Sequence, residues 1–392
     1  FDQPLTKLRL TMNLLKRFAV PVVCAMTVLA MTACSSSKDE RRTPTPLTQF
    51  KPVLNVERVW TANVGTAGRY LFSPVAVGGA VYAASMKGTV LKVDGKTGKE
   101  IWRTKLHADL TAGVGSDGML AAVGAARGGI FVLDANGKLL WKSNVPGEIV
   151  TPPLVGNGLV IVRTIDGQIN AFGAETGELK WVYHNRAVPL NLRVSSGMTF
   201  AADAAVLAGF PGGALAAINL KTGDDYWQAP VSYPKGVTEV ERVNDVTGAP
   251  TLVGAQTCAV TFQGRLGCFD ANSGRPIWQK PFSATSGLAQ DTGAVVAADD
   301  WSVVTEFSAD DGRQVWQNDK LKNRNLSVPL LLGPSVVVGD YQGYVHFLSR
   351  DDGSFVARMN TDGSAITAAP VIIGDTLVVQ TRKGELYGFR PR

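Results

Sequence analysis

Apolar residues along the chain fall into short runs, and turn residues separate each run from the next. Runs at 79–85 and 89–93 flank Lys87-Gly88, and runs at 158–164 and 169–172 flank Asp166-Gly167. Asp-Gly between two apolar runs is typical of a tight β-hairpin, because both turn residues adopt positive φ. No segment carries the sustained apolar stripe of period 3.6 that marks an amphipathic helix. The pattern therefore predicts an all-β protein.

A repeated turn followed by tryptophan divides the chain into units. In each copy an acidic residue or Asn precedes an X-Gly pair, and an aromatic position follows four residues after the Gly. That position is held by Trp102, Trp141, Trp181, Trp227, Trp278 and Trp316, and by Ala357 in the last copy. Successive spacings are 39, 40, 46, 51, 38 and 41 residues, and Trp60 extends the series 42 residues upstream without its own turn. A period of about 40–50 residues containing four short strands is that of a β-propeller blade.

Counting hairpins sets the number of blades. Eight inner hairpin turns are recognisable, at Gly88, Gly128, Gly167, Gly213, Gly264, Asp300, Gly343 and Gly384. The eighth hairpin, in 377–389, ends before any Trp, and the strand at 54–60 supplies the missing outer strand. We therefore predict an eight-bladed propeller of four-stranded antiparallel blades over 53–392, closed by pairing of the N- and C-terminal strands, with seven blades as the alternative. Closure of this kind removes an open sheet edge.

The tryptophans have two possible roles. A large ring at a fixed place in every blade can pack into the next blade and bury a large apolar area. The alternative is an aromatic set that binds a substrate. We favour the packing role because the rings recur at the period of the blades.

Composition and charge exclude several classes of function. The formal net charge is +6, and +3 of it lies in the first 34 residues. The remaining excess is dispersed, unlike the basic stripe of a nucleic-acid-binding protein. Three His and four Cys leave little material for a metal site. His107, His184 and His346 fall in three different units without the spacing of metal ligands. We expect no metal, no cofactor and no catalytic residue.

The N-terminus is typical of a targeting segment. Lys16 and Arg17 precede an apolar stretch at 18–33, which is shorter than the ~20 residues needed to span a bilayer. It ends in Met31-Thr32-Ala33-Cys34, which resembles a bacterial lipoprotein signal; a plain secretory signal is the alternative. The resemblance implies acylation of Cys34 and, with Ser35 following, sorting to the outer membrane. We expect an upstream extension and signal at 1–34, with the extension before Met12, and a flexible tether at 35–52.

Two further motifs have structural interpretations. The sequence Gly113-Val-Gly115-Ser-Asp-Gly118 matches a dinucleotide-binding pattern, but a strand follows it where that motif needs a helix, so we predict a hairpin turn. Cys258 and Cys268 lie at equal distances from the Gln263-Gly264 turn. A three-residue or bulged loop would place them opposite each other and allow a disulfide, whereas a two-residue loop would put them out of register.

The repeat resembles the quinoprotein (PQQ-type) repeat over essentially all of residues 53–392. With the lipoprotein signal and the single propeller, the chain is similar to the BamB family of outer-membrane β-barrel assembly lipoproteins. Leu190-Asn191-Leu192-Arg193 is similar to that family's Leu-x-Leu-Arg loop. The stretch at 238–246, Thr-Glu-Val-Glu-Arg-Val-Asn-Asp-Val, resembles its Thr-Glu-x-x-Arg…Asp-Val segment.

The resemblance implies a scaffold that binds BamA, with other machinery subunits as partners, and assists folding and insertion of outer-membrane proteins. The BamA contacts would be Leu190, Leu192, Arg193 and Asp245, with Glu239 and Arg242 as secondary candidates. The alternative for Leu190 and Leu192 is packing against the edge of the blade. Thr247 stands where the family has a second Asp. The two longest units are consecutive, and their extra length follows Trp181 and Trp227, as expected of insertions that build a binding rim. Direct contact with nascent outer-membrane proteins by edge pairing is a further hypothesis.

The alternative function is a small periplasmic quinoprotein oxidoreductase that uses PQQ and calcium. Such enzymes are longer and in many cases carry adjacent cysteines, which this chain lacks. We therefore favour the scaffold.

Overall fold

Eight four-stranded antiparallel sheets make up the fold, each with its strands in simple up-and-down order. The computed structural model describes residues 43–185, 188–193 and 196–392. Within it, Pro44–Arg392 forms one compact unit. The prediction of an eight-bladed all-β propeller is confirmed.

The first strand of each blade contacts the first strand of at least one neighbouring blade and so lies nearest the axis. These first strands are β2 Val75–Val77, β6 Leu110–Ser116, β10 Leu154–Gly156, β14 Met198–Ala201, β18 Val246–Val253, β22 Leu288–Gln290, β26 Leu330–Leu332 and β30 Val371–Ile373. The second strands are β3 Ala80–Ala84, β7 Ala121–Ala125, β11 Leu159–Arg163, β15 Ala205–Gly209, β19 Gln256–Thr261, β23 Ala294–Ala298, β27 Ser335–Gly339 and β31 Thr376–Gln380.

The third and fourth strands complete each blade outward. The third strands are β4 Thr89–Asp94, β8 Gly129–Leu133, β12 Ile169–Gly173, β16 Ala214–Asn219, β20 Arg265–Asp270, β24 Val304–Ser308, β28 Tyr344–Ser349 and β32 Glu385–Pro391. The outer strands are β5 Glu100–Lys105, β9 Leu139–Asn144, β13 Leu179–Tyr183, β17 Asp225–Pro230, β21 Pro276–Pro281, β25 Gln314–Asn318, β29 Phe355–Asn360 and β1 Val56–Asn63. One short 3-10 turn, Ala126–Gly128, lies between β7 and β8.

Burial follows the position of each strand in its blade. β3, β7, β15, β23, β27 and β31 are buried at every residue, because sheet neighbours flank both edges and adjacent blades cover both faces. Outer strands such as β5 and β17 keep most of their side chains in solvent. The core is therefore a set of apolar layers between blades, and its short buried runs produce the pattern seen in the sequence.

The ring closes as the strand count predicts. β1 pairs with β32 in antiparallel register from Val56–Pro391 to Asn63–Glu385, with an irregularity between Arg58 and Trp60. The first and last strands of the propeller thus share one blade. The dinucleotide-like motif also has its predicted structure, because its first glycines lie in β6 and a turn leads from them into β7.

Each tryptophan of the repeat series, from Trp60 to Trp316, joins its own blade to the next. The indole N–H of Trp278, for example, donates to the carbonyl of Ala309 at 2.7 Å, and its ring lies over Gly312. Gly312 has φ +68°, and a Cβ there would stand 2.4 Å from the ring, so the turn needs glycine both for its backbone and for its closeness to the indole. The same indole-to-carbonyl bond is made by Trp60, Trp102, Trp141, Trp181, Trp227 and Trp316. These contacts are those of the packing role predicted from the sequence.

Candidate partner-binding face

All connections from an outer strand to the first strand of the next blade emerge on one face of the ring, because strand direction alternates within each blade. We call this the connection face. The predicted site residues lie on or next to two of these connections, the one between β13 and β14 and the one between β17 and β18. Residues 186, 187, 194 and 195 of the first lie outside the described residues. Consecutive blades therefore carry the two segments on one side of the molecule.

The segment 188–193 is held to the propeller by polar contacts. The side-chain amide of Asn191 donates to the carbonyl of Ile165 at 3.1 Å. The backbone N–H of Leu192 donates to the carboxylate of Asp245. Leu190 is 45% exposed and follows the exposed Pro189. Leu192, by contrast, is half-buried. The supports fix the backbone while leaving Leu190 accessible to a partner.

Asp245 is a buried residue, with 2% of its surface exposed. Its second carboxylate oxygen accepts a hydrogen bond from the N–H of Gly212 at 3.2 Å. Burial raises the pKa of this carboxyl, and the two backbone bonds and the charge of Arg163 oppose that rise. In this structure Asp245 therefore orients the segment that bears Leu190, and its carboxylate is not presented at the surface.

A buried arginine lies near Asp245. Arg163 donates from Nη1 to the carbonyl of Ser196 at 3.1 Å, and its guanidinium lies 4.9 Å from the centre of the Phe210 ring. Burial lowers its pKa to about 10, against the attraction of Asp245 and Asp166. The side chain stays cationic at neutral pH and balances the carboxylate charge beneath the connection.

Arg193 is the exposed charge of the first segment, with 49% of its side chain in solvent. It forms an ion pair with Glu148 and lies 5.8 Å from the centre of the Tyr70 ring. The Tyr70 hydroxyl donates to Glu148 at 3.4 Å, and Arg69 lies over the same ring. Arg69, Tyr70, Leu71 and Arg193 also line a depression of about 240 Å³. The sequence reasoning missed Arg69, Tyr70 and Glu148, because no local motif links three separate connections.

The second segment, 233–242, projects further into solvent. Thr238 and Glu241 form a reciprocal capping arrangement: the Thr238 hydroxyl accepts from the Glu241 N–H at 3.3 Å, and the Glu241 carboxylate accepts from the Thr238 N–H at 3.0 Å. The backbone N–H groups of Thr238 and Val237 both donate to the Glu241 carboxylate, and these bonds lower its pKa. The turn leaves large apolar side chains exposed: Tyr233 at 68%, Val237 at 96% and Val240 at 66%.

The remaining predicted positions of this segment divide between surface and interior. Glu239 and Arg242 are exposed. Thr247 is buried, and its hydroxyl donates to the carbonyl of Ala284 at 2.9 Å. At this position the side chain bridges β18 to the next connection, so it adds nothing to the exposed surface.

Cys258 and Cys268 form a disulfide between β19 and β20. They are register partners, with Cα atoms 4.1 Å apart, because a three-residue loop joins the two strands. Both are fully buried. The bridge is therefore part of a blade interior, between two paired strands.

Neither a metal site nor a membrane span emerges within the described residues. They contain no cluster of three or more His, Cys, Asp or Glu placed to hold a metal ion. The same part of the chain holds no helix long and apolar enough to cross a bilayer. Cys34, the signal at 1–34 and the tether up to residue 42 lie outside it.

Comparison with known proteins decides the family. The model of the family described as outer membrane protein assembly factor BamB matches residues 55–110, 87–318 and 302–392. The chain belongs to the BamB family. It is 71% identical over 381 residues to a BamB of Burkholderia pseudomallei, an alignment that covers 97% of this chain and 100% of that protein.

Solved structures agree with this assignment. BamB from Moraxella catarrhalis superposes with a TM-score of 0.79 at 26% identity, covering 86% of this chain and 100% of that one. Quinohemoprotein alcohol dehydrogenase from Comamonas testosteroni gives a TM-score of 0.67 at 16% identity, covering 90% of this chain and 81% of that one. At that identity the dehydrogenase shares the fold alone, which explains why the repeat resembles both families.

Proposed function

We propose that this chain is a non-enzymatic scaffold of the outer-membrane β-barrel assembly machinery, and that it docks on BamA through the connection face. Its support is membership in a family named for outer membrane protein assembly. In this role it assists folding and insertion of outer-membrane proteins and catalyses no covalent step.

One observation carries the proposed docking site: the buried Asp245 holds the backbone of Leu192, so that Leu190 and Arg193 are presented on a fixed loop. A loop ordered before binding loses less conformational entropy when a partner arrives. An exposed leucine beside a partly exposed arginine also has the composition of an interface anchor. Val237 and Val240 extend the apolar surface on the next blade.

The proposal predicts that Leu190→Asp and Arg193→Glu each abolish co-purification of BamA from envelopes in mild detergent. Loss of an anchor residue costs 2 kcal/mol or more, about a thirtyfold weaker complex. The matched control is Leu179→Asp, because Leu179 is 51% exposed on the outer strand of the same blade, away from the connection. Thermal unfolding of each variant should stay at the wild-type temperature. Unchanged recovery of BamA with both variants would place the site elsewhere.

We also propose that Cys34 is acylated and holds the chain at the periplasmic face of the outer membrane. The support is the sequence 31–34 and the serine after it. Several acyl chains at ~0.8 kcal/mol per buried CH₂ give stable anchoring, whereas one chain binds only marginally. Labelling with a radioactive fatty acid should mark the wild type and leave Cys34→Ala unlabelled. Label that persists in the variant would refute the anchor.

A further inference from the structure

The N-terminal segment 44–54 is docked on the propeller, although most of it falls in the range predicted as a flexible tether. The backbone N–H of Thr45 donates to the carbonyl of Lys322 at 3.0 Å, and its hydroxyl donates to the carbonyl of Lys320 at 2.9 Å. Arg324 donates from Nη1 to the carbonyl of Thr45 at 3.0 Å. Lys320, Lys322 and Arg324 belong to the connection between β25 and β26. We call 44–54 the strap, and its Thr45 end lies on the connection face.

The other end of the strap lies along β29, the outer strand of the blade formed by β26 to β29. The rings of Phe50 and Phe355 stack with centroids 5.3 Å apart. The guanidinium of Arg358 lies 5.0 Å from the Phe50 centroid and 5.2 Å from the Phe355 centroid. The N–H groups of Val53 and Leu54 both donate to the carbonyl of Val356, at 3.0 and 3.1 Å. The strap therefore runs along β29 before the chain enters β1.

A buried ionic network supports the strap from below. Arg324 is 2% exposed, and its guanidinium pairs with the fully buried Asp340 at 2.7 Å. His346 Nε2 lies 3.0 Å from the same carboxylate oxygen, and Arg358 Nε donates to His346 Nδ1 at 3.1 Å. The two arginines that contact the strap are thus held by one carboxylate and one imidazole. The contact surface for the strap is built into the blade.

The strap also lies at the seam that lacks a tryptophan. Ala357 occupies the Trp position of β29. In the closing blade, the turn between the third and outer strands is replaced by the two ends of the propeller chain, where the N–H of Arg392 donates to the carbonyl of Asn55. Phe50 and the backbone of Val53 and Leu54 contact β29 beside this position. The strap contributes contacts at the place where the indole clamp is missing.

Strand direction shows what the strap does to the path of the chain. β1 is an outer strand and runs toward the connection face, so the chain enters it, at Val56, on the opposite face. Traced backward from Val56, the strap runs along β29 from that face to Thr45 on the connection face.

We propose that the strap fixes the exit of the N-terminal tether on the connection face, so that a membrane attached to that tether faces the side bearing Leu190 and Arg193. This inference rests on the proposed membrane anchor and docking site for its biological meaning. The position of the exit can be tested without either, because any artificial attachment at the N-terminus must follow the same path.

The test measures which face lies nearer a bilayer. The chain from Ser35 onward, carrying a hexahistidine tag before Ser35, is bound to vesicles that contain a nickel-chelating lipid and a fluorescent acceptor lipid. A donor dye is placed on Lys320→Cys or on Asp310→Cys. Both residues are exposed, and they lie at the two ends of β25, about 17 Å apart along the strand. From Ser35 onward the only native cysteines are Cys258 and Cys268, which are bridged and do not take the dye.

We expect higher energy transfer from position 320 than from position 310. Replacing residues 45–50 with six Gly and Ser residues, with Gly at 45, removes the Thr45 hydroxyl and the Phe50 ring at constant length. The order of the two efficiencies should then reverse, because the exit moves toward the start of β1. Gln49→Ala, an exposed strap position, should keep the wild-type order. Equal transfer in the wild type, or an unchanged order after replacement, would overturn the proposal. Failure of BamA co-purification or of acylation would leave this result unaffected.

Discussion

The carboxylate of Asp245 accepts a hydrogen bond from the backbone N–H of Leu192, 53 positions earlier in the chain. The bond joins the connections that follow two consecutive blades. An acidic residue that resemblance alone would place at the surface is thus the internal support of the neighbouring loop.

Asp245→Ala should loosen the segment 188–193. The change removes the acceptor for the N–H groups of Leu192 and Gly212, and an unsatisfied buried donor costs about 1–3 kcal/mol. Amide hydrogen exchange at 190–193 should accelerate, and the free energy of unfolding should fall by a similar amount. Asp245→Asn keeps a carbonyl acceptor and should give an intermediate result. Wild-type exchange in the alanine variant would show that the loop is held by other contacts.

Trp278→Ala should destabilise the propeller by about 3–5 kcal/mol, the usual cost of deleting a buried aromatic ring. Trp278 is 7% exposed, bonds the Ala309 carbonyl and covers Gly312. Ile277→Ala is the matched control, because its side chain is 48% exposed and the change should cost less than about 0.5 kcal/mol. Urea unfolding measures both. Similar midpoints for the two variants would contradict the clamp.

Removing the disulfide by Cys258→Ala with Cys268→Ala should lower the free energy of unfolding by about 2–3 kcal/mol, as expected for a cross-link closing a loop of this size. Alanine suits the site because both positions are buried. Reductant should lower the unfolding temperature of the wild type and leave the double variant unchanged. In the chain from Ser35 onward the only cysteines are Cys258 and Cys268. Reaction of that chain with a thiol reagent after denaturation without reductant would show that the bridge is absent.

Acid should weaken the blade beneath the strap. Burial lowers the pKa of His346 from its ordinary 6.5, although Asp340 opposes the shift, and Arg358 and Arg324 reinforce it. Below pH 6.5 the imidazole is therefore more protonated in the unfolded chain than in the folded one. The free energy of unfolding falls as pH decreases, by at most about 1.4 kcal/mol per pH unit. The lowered pKa of Asp340 acts in the same direction below pH 3.8.

The check is the free energy of unfolding between pH 7.5 and pH 5 for the wild type and for His346→Gln. The variant lacks the titrating imidazole, so its profile should be flatter across this range. Parallel profiles would show that His346 does not couple protonation to folding.

The architecture could be predicted from the sequence because the hairpin turns and the Gly…Trp motif recur at the period of the blades. Trp278 and Gly312 recur in equivalent form around the ring, and the missing outer strand of the last hairpin could be supplied only by the other end of the chain. The surroundings of Arg193 were beyond prediction, since Glu148 and Tyr70 reach it from two other connections without any local motif. Phe50 lies in a polar, proline-containing stretch whose composition is typical of a flexible tether. Its contact with Phe355 is visible only in the tertiary structure. Whether an aspartate such as Asp245 is buried likewise depends on contacts distant in sequence.

The shared blade of β1 and β32 sets an order on biogenesis. The strand that is synthesised first has no sheet partner until the final strand is present, because the two ends of the chain must meet. Such a distant pairing delays folding, since a large loop must close before any contact compensates for it. A chain that stops before residue 385 would leave β1 unpaired and the closing blade without its third strand, so the ring would stay open.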